Sequence, residues 1–244
     1  MEVSKIKIAF LGTSVFADII QNKLLESGFE VVKEVDASCD LLVVASHGQI
    51  VSKKVLETAK HGALNVHPSL LPKNRGPSPI QTTLLQGDTK TGAAIMLMDA
   101  EIDHGPILAM ESYDMKDKKY TYEELHKKLG EMGADLLVKT IPKWIEGKIS
   151  PKEQEHDEAT YTEKLTREDG KIDWTKSTVS IERQIRAFYP WPGAFTFWKD
   201  KRVKILKAHV DGEKLAIDKL QLEGKKPTTM HEFLLGHKDF YVGP

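Results

Sequence analysis

The chain has 244 residues, with 35 Lys and Arg against 36 Asp and Glu and a formal net charge of −1. That balance excludes a polybasic coat for nucleic acid and leaves room only for a local basic patch. The single cysteine, Cys39, excludes an internal disulfide, and no apolar run approaches the ~18 residues a membrane span needs.

The length suits one sizeable core or two modest ones. Met1 to Lys7 carries charge and is followed by no long apolar stretch, so it does not read as a secretory signal. The expectation is a cytoplasmic protein with no membrane attachment. Cys39 precedes an apolar run and reads as a structural thiol.

Ile6 to Leu11 is an apolar run broken only by Lys7, followed by Gly12-Thr13-Ser14. Phe16, Ile19, Ile20, Leu24 and Leu25 then recur at helical spacing, with Thr13 or Ser14 as cap and Gly28 as stop. This strand, turn and helix open an α/β fold. Gly12 alone is far short of a dinucleotide fingerprint. Phe29 to Val32 and Asp40 to Ala45 read as strands, the second a buried central one. Ser46 to Val51 is the loop after it, and Val55 to Lys60 a short helix.

The next strand ends in Asn65-Val66-His67-Pro68. Asn65 and His67 are two apart, so an extended chain points both at one face. Pro68 and Pro72 stop the ladder and shape the following loop. Pro79 to Gln86 reads as a helix, Gly92 to Met98 and Ile107 to Tyr113 as strands, and Asp99 to Pro106 as an acidic loop between them. Tyr122 to Lys139 carries a helical stripe, with Thr121 and Glu124 as a capping pair and an extension or restart beyond Pro142. Pro151 to Tyr161 lacks periodicity and reads as linker. Ile181 to Ala187 is a short helix, and Phe195 to Trp198 with Val203 to Ala208 a hairpin turning at Asp200-Lys201. Leu215 to Ile217 and Leu220 to Leu222 complete a small β region.

An amide, an imidazole and a carboxylate brought together can manage a reaction in which charge grows on a carbonyl oxygen while a proton moves. A histidine at a strand end is equally well a side chain satisfied by backbone. The long string decides between these. Asn65-Val66-His67-Pro68-Ser69-Leu70-Leu71-Pro72-Lys73-Asn74-Arg75-Gly76, with Pro79-Ile80-Gln81, Gly87-Asp88-Thr89, Met98-Asp99 and Ile102-Asp103-His104-Gly105, resembles the folate-dependent formyltransferase family. Gly12-Thr13-Ser14-Val15-Phe16-Ala17 matches the string that borders the active site in those enzymes.

The resemblance implies a truncated Rossmann-like formyltransferase domain at 1–150, a linker at 151–175 and a small C-terminal OB-like β domain at 176–244. It implies Asn65, His67 and Asp103 as catalytic residues. Asn65 and a protonated His67 would stabilise the oxyanion, and Asp103 would orient His67 and relay a proton. His47, Gly48, Gln49 and Ile50, with Ser69, Leu70, Leu71 and Pro72, would bind the formyl donor, 10-formyltetrahydrofolate. His104 stands where members commonly carry threonine and reads as a turn residue.

Thr160-Tyr161, Leu165 to Trp174 and the tail from Leu220 to Gly236 match the members that act on methionyl-tRNA, which makes initiator methionyl-tRNA the expected partner. Arg75 is either a solvated loop residue or a group that steers a phosphate-bearing acceptor. Arg183, Arg186, Lys201, Arg202 and Lys204, with Phe197 and Trp198 interleaved, form the candidate nucleic-acid surface, set against the alternative of a solvated outer face.

Two departures matter. The family places a longer segment, including part of the sheet and a tRNA-contacting loop, where this chain runs directly from Val32 to Asp40, and its barrel has further strands between Ala208 and Leu215. Formylation of an amino sugar on a nucleotide, or binding without catalysis, therefore stand as alternatives. A zinc site lacks both an HExxH pattern and a cysteine pair.

Overall fold

A computed structural model describes residues 5–116 and 118–241. The expectation for Met1 to Ser4 lies outside these residues. The chain divides into two compact units: the first within Met1–Pro79, Thr89–Lys118 and Leu125–Glu163, the second within Ile80–Asp88, Lys119–Glu124 and Lys164–Pro244. No helix among the described residues is long and apolar enough to cross a membrane.

The first unit is built on a six-stranded mixed sheet. Its strands are β1 (Lys7–Leu11), β2 (Glu30–Val32), β3 (Leu41–Val44), β4 (Ala63–His67), β5 (Lys90–Leu97) and β6 (Ile107–Asp114), in the order β2-β1-β3-β4-β5-β6. β2, β1, β3 and β4 run parallel, and β5 and β6 join antiparallel. All four residues of β3 are buried, as expected of a parallel strand covered on both faces. Helix α1 (Val15–Glu26) follows β1, and Ser14 is its cap, its hydroxyl accepting from the Ala17 amide at 3.2 Å. Helix α2 (Lys53–Leu56) is a single turn, shorter than the sequence suggests.

Helix α3 (Pro79–Gln86) matches its expected bounds. Helix α4 (Tyr122–Ile145) is continuous through Pro142, so of the two expected possibilities, extension or restart, the structure has the extension. Thr121 closes its N-terminus with Glu124, whose carboxylate accepts from the Thr121 amide and hydroxyl at 2.8 Å each. Within the first unit, Gly133 of α4 lies so close to Val66 that an added Cβ would sit 2.7 Å from its Cγ1. Thus α4 covers the Val66 face of β4. Asn65 and His67 alternate with Val66 and face the other way.

The second unit holds helix α5 (Thr178–Phe188), strands β7 (Phe195–Trp198), β8 (Lys201–Asp211), β9 (Lys214–Leu222) and β10 (Thr228–Thr229), and helix α6 (Met230–Gly236). The four strands form one antiparallel sheet in the order β10-β9-β8-β7. Ile181, Ile185, Val203, Ile205, Leu220 and Phe233 are at the centre of its core. The two pieces expected around Leu215 and Leu222 are one strand, and register shifts after Ile205 let the long β8 and β9 stay paired. Among the described residues no pairing joins β7 to β10, so the small domain is an open sheet and not a closed barrel.

The segment expected as a linker does not run free. Residues 152–162 lie along the first unit: Lys152 exchanges backbone bonds with Ile107, and Arg75 with Thr160 and Thr162. Only the part from Lys164 joins the second unit.

Gly12 sits in the tight turn that follows β1. A Cβ there would meet the Ala45 carbonyl at 2.4 Å and the Ala17 Cβ at 2.6 Å. Gly12→Ala should therefore lower stability by about 1–3 kcal/mol through overpacking against backbone. The urea midpoint measures this, and an unchanged midpoint would show that the turn relaxes freely.

Candidate active site

Strand β4 brings Asn65 and His67 to one face, and the β5–β6 loop turns back over that face to deliver Asp103. Asn65 Nδ2 donates to Asp103 Oδ1 at 3.0 Å. His67 Nδ1 stands 3.5 Å from Asp103 Oδ2. The three expected catalytic side chains therefore meet, although they are drawn from a strand and a loop 36 residues beyond it. Asn65 and His67 are buried, at 9% and 4% exposure. Charge in such a setting interacts far more strongly than in water.

The anchor of His67 differs from the expected one. Its Nε2 lies 2.9 Å from the Asn74 carbonyl oxygen. A carbonyl only accepts, so Nε2 carries hydrogen and Nδ1 is the ring atom left facing Asp103. The contact at 3.5 Å is longer than a normal hydrogen bond. Asn74 thus holds the imidazole, and Asp103 faces the nitrogen where a proton can come and go.

Asp103 is also held from a direction that sequence does not signal. The Gly76 amide donates to Asp103 Oδ2 at 2.7 Å. With Asn65 on Oδ1, both carboxylate oxygens accept a donor. Asn74, at φ +58°, and Gly76, at φ +104°, take left-handed conformations that curl the loop so its groups point inward. Thr160, Tyr161 and Thr162 fix that loop from behind: the Arg75 amide donates to Thr160 O at 2.9 Å, and the Thr162 amide to Arg75 O at 2.7 Å.

Arg75 must be removed from the expected nucleic-acid surface. It is 1% exposed. Its Nε and Nη2 donate to Gln154 Oε1 at 3.1 and 2.8 Å, Nη1 to the Tyr161 hydroxyl at 3.0 Å, and Nη2 to His156 Nδ1 at 2.9 Å. No phosphate reaches a guanidinium so enclosed. His156 stacks on His104 with centroids 4.1 Å apart, and His104 Nδ1 is 2.7 Å from Asp99 Oδ2. His104 is thereby tied into its loop and away from the reacting face, as a turn residue.

Two other arginines are corrected on similar grounds within the second unit. Arg183 Nη1 donates to the last carbonyl of α3, Gln86 O, at 3.0 Å, and its guanidinium occupies the space where a Gly87 side chain would grow. A cation at a helix C-terminus satisfies orphan carbonyls. Arg186 forms a two-point pair with the buried Glu182 at 2.7 and 3.0 Å and donates to Tyr120 O. The Arg186 donors serve the fold, and so does one Arg183 donor, although the Arg183 side chain keeps partial exposure.

The remaining three basic residues keep solvent contact. Arg202 lies over the Phe195 ring at 3.8 Å, directly opposite the exposed Phe197 across the β7–β8 pair. Lys204 is half-buried and Lys201 exposed. Trp198 is not interleaved with them; it packs edge-on against Phe233 and Phe240 in the core.

The expected donor loop follows β3, whose last residue, Val44, pairs with Asn65. Ser46 and Gly48 have φ +46° and +71°, and Gly48, Gln49 and Ile50 are exposed. His47 Nδ1 is buried without a partner. Such an atom costs free energy until something bonds it, which fits a loop that receives a polar heterocycle. The second expected stretch is divided. Leu71 packs against Ala94 and Met96, and Ser69 donates its hydroxyl to Lys73 O at 2.6 Å, so both side chains are internal. Leu70 and Pro72 retain surface.

Arg75→Met should leave Gln154 Oε1 and His156 Nδ1 without donors inside the protein. The expected loss is on the order of 2–3 kcal/mol in unfolding free energy, measured by urea titration. A stable variant with selectively weakened RNA binding would restore the surface role.

Comparison with known proteins agrees with this geometry. Residues 8–141 match the Formyl transferase family and residues 164–214 its C-terminal domain. A methionyl-tRNA formyltransferase of Rickettsia bellii is 39% identical over 234 residues, covering 87% of this chain and 75% of the relative. The structure of a methionyl-tRNA formyltransferase from Clostridium thermocellum matches 89% of this chain and 98% of its own, with a TM-score of 0.69 at 19% identity. HypX from Aquifex aeolicus, solved with tetrahydrofolic acid, matches 98% of this chain and 49% of its own, with a TM-score of 0.76 at 15% identity. With both family segments present in order and the Asn65, His67 and Asp103 side chains gathered at one face, the chain belongs to the formyl transferase family.

Proposed function

We propose that this chain transfers a formyl group from 10-formyltetrahydrofolate to the α-amino group of methionyl-initiator tRNA. The observation that carries the reading is the meeting of Asn65, His67 and Asp103, with the carboxylate 3.0 Å from one and 3.5 Å from the other. The acceptor is favoured by the Rickettsia bellii relative, named for that reaction and aligned over most of both chains.

The donor supplies an electrophilic formyl carbon. As the amine attacks it, a C–N bond forms, the bond to the folate nitrogen breaks, and a proton must leave the amine. Asn65 has a second amide hydrogen beyond the one given to Asp103, and this N–H donates to the formyl oxygen as charge builds there. His67, with Nε2 fixed on Asn74 O, exchanges a proton at Nδ1. Asp103, already accepting from Asn65 and Gly76, has lone pairs left to take the amine proton through a water. It returns a proton the same way to the folate nitrogen, which departs as a secondary amine. His47, Gly48, Gln49 and Ile50 receive the heterocycle, with Leu70 and Pro72 lining the opposite side and Ser69 and Leu71 contributing backbone only.

For the tRNA, the outer face of β7 and β8 offers Phe197 opposite Arg202, with Lys204 two residues further along β8 opposite Phe195 and Lys201 at the turn. An exposed ring beside two cations suits bases and phosphates together. That patch replaces the wider one expected from sequence.

The test is transfer of labelled formyl from 10-formyltetrahydrofolate to methionyl-initiator tRNA, with nucleotide-linked amino sugars as competing acceptors. Label on the tRNA is expected. Asn65→Ala should lower kcat by roughly 100- to 1,000-fold with an unchanged far-UV spectrum. Label only on the sugar, or full activity in Asn65→Ala, would sink the assignment.

A further inference from the structure

Gln154 is 5% exposed and comes from the segment between α4 and the second unit. Besides accepting from Arg75, its amide reaches the loop that carries Asp103. Nε2 donates to Asp103 O at 2.9 Å and to Gly105 O at 2.7 Å. The orientation of the amide follows from its partners. A guanidinium can only donate and backbone carbonyls can only accept, so oxygen must face Arg75 and nitrogen the loop. Both amide hydrogens are used, and the oxygen accepts twice.

The loop needs such a hold. Asp103 sits at φ +49°, a left-handed conformation that is strained for a residue with Cβ. Gly105 is buried, and its backbone runs so near β5 that a Cβ would sit 2.1 Å from Leu97 O. The carbonyls at 103 and 105 are the two that Gln154 satisfies. On the far side of Asp103, the Gly76 amide fixes the carboxylate, and Gly76 directly follows Arg75 in the chain. One path of hydrogen bonds therefore runs from Arg75 through Gln154 to the Asp103 backbone, and a second from the Arg75 backbone through Gly76 to its carboxylate.

We propose that Gln154 is a positioning residue for the reacting carboxylate: it holds the backbone of Asp103 in register with Asn65 and His67. It touches neither substrate. This rests on the proposed role of Asp103 in formyl transfer.

The discriminating variant is Gln154→Glu. A carboxylate keeps the two bonds to Arg75 but has no hydrogen for the loop carbonyls. The unfolding midpoint should fall, because two loop carbonyls lose their buried donor, while the variant still folds. kcat should fall by roughly 10- to 100-fold, as expected for a reacting group displaced by about 1 Å, with KM for both substrates changed less than about threefold. Amide exchange across residues 98–106 should quicken by more than that of β3 and β4. Unchanged loop exchange with unchanged kcat would overturn the proposal. So would an equal loss of protection in the loop and the core strands, which would make Gln154 a general support. If Gln154→Glu does not fold, Gln154→Asn keeps the amide but shortens its reach by one methylene, and the same measurements decide. Should the unaltered chain fail to formylate tRNA, the formylation reading falls, while exchange in the loop still reports whether Gln154 holds it.

Discussion

Everything at the site depends on a carboxylate with a donor on each oxygen. Asp103 accepts from the Asn65 amide and from the Gly76 backbone, and faces His67 across 3.5 Å. A charged-group hydrogen bond contributes about 1.5–3 kcal/mol, enough to bind a curled loop onto a strand it does not pair with. The two-residue period of β4 does the other half. Val66 turns toward α4, and its neighbours on either side must turn the opposite way. Pairing a strand's regularity with a loop's freedom places three groups that no single element could present together.

Much of this was legible in the chain. The spacing of Asn65 and His67 and the ordered string to Asp103 picked out the three side chains that the structure brings together, because side chains two apart on a strand share a face whatever surrounds them. Ser14, Thr121 and the bounds of α3 were legible as local chemistry. Asn74 and Gly76 were present in the string but without roles, because they act through a carbonyl and an amide that every residue possesses; only their left-handed dihedrals mark them. Gln154 had no signal at all: its partners are 49 to 79 residues away.

Arg75 shows how a sound prior goes astray. A loop arginine among polar residues is usually solvated, and a buried cation is expensive. Here four guanidinium hydrogens find Gln154, Tyr161 and His156, so burial is tolerated. Arg183 and Arg186 repeat the lesson in the second unit, where one ends α3 and the other pairs with buried Glu182. Alternation on β7 and β8 sorted Phe197 outward and Trp198 inward, a distinction that a run of adjacent aromatics conceals until the strand's facing is known.

The strap from Lys152 to Thr162 changes where the protein can be divided. Composition places the seam near residue 150, yet the residues just past it back the Asn74–Gly76 curl and steady the β5–β6 loop. A fragment trimmed at that seam keeps every reacting side chain and loses the brace behind them. A piece that keeps the constellation together with its support must extend to Glu163, which makes this stretch a buttress as well as a tether.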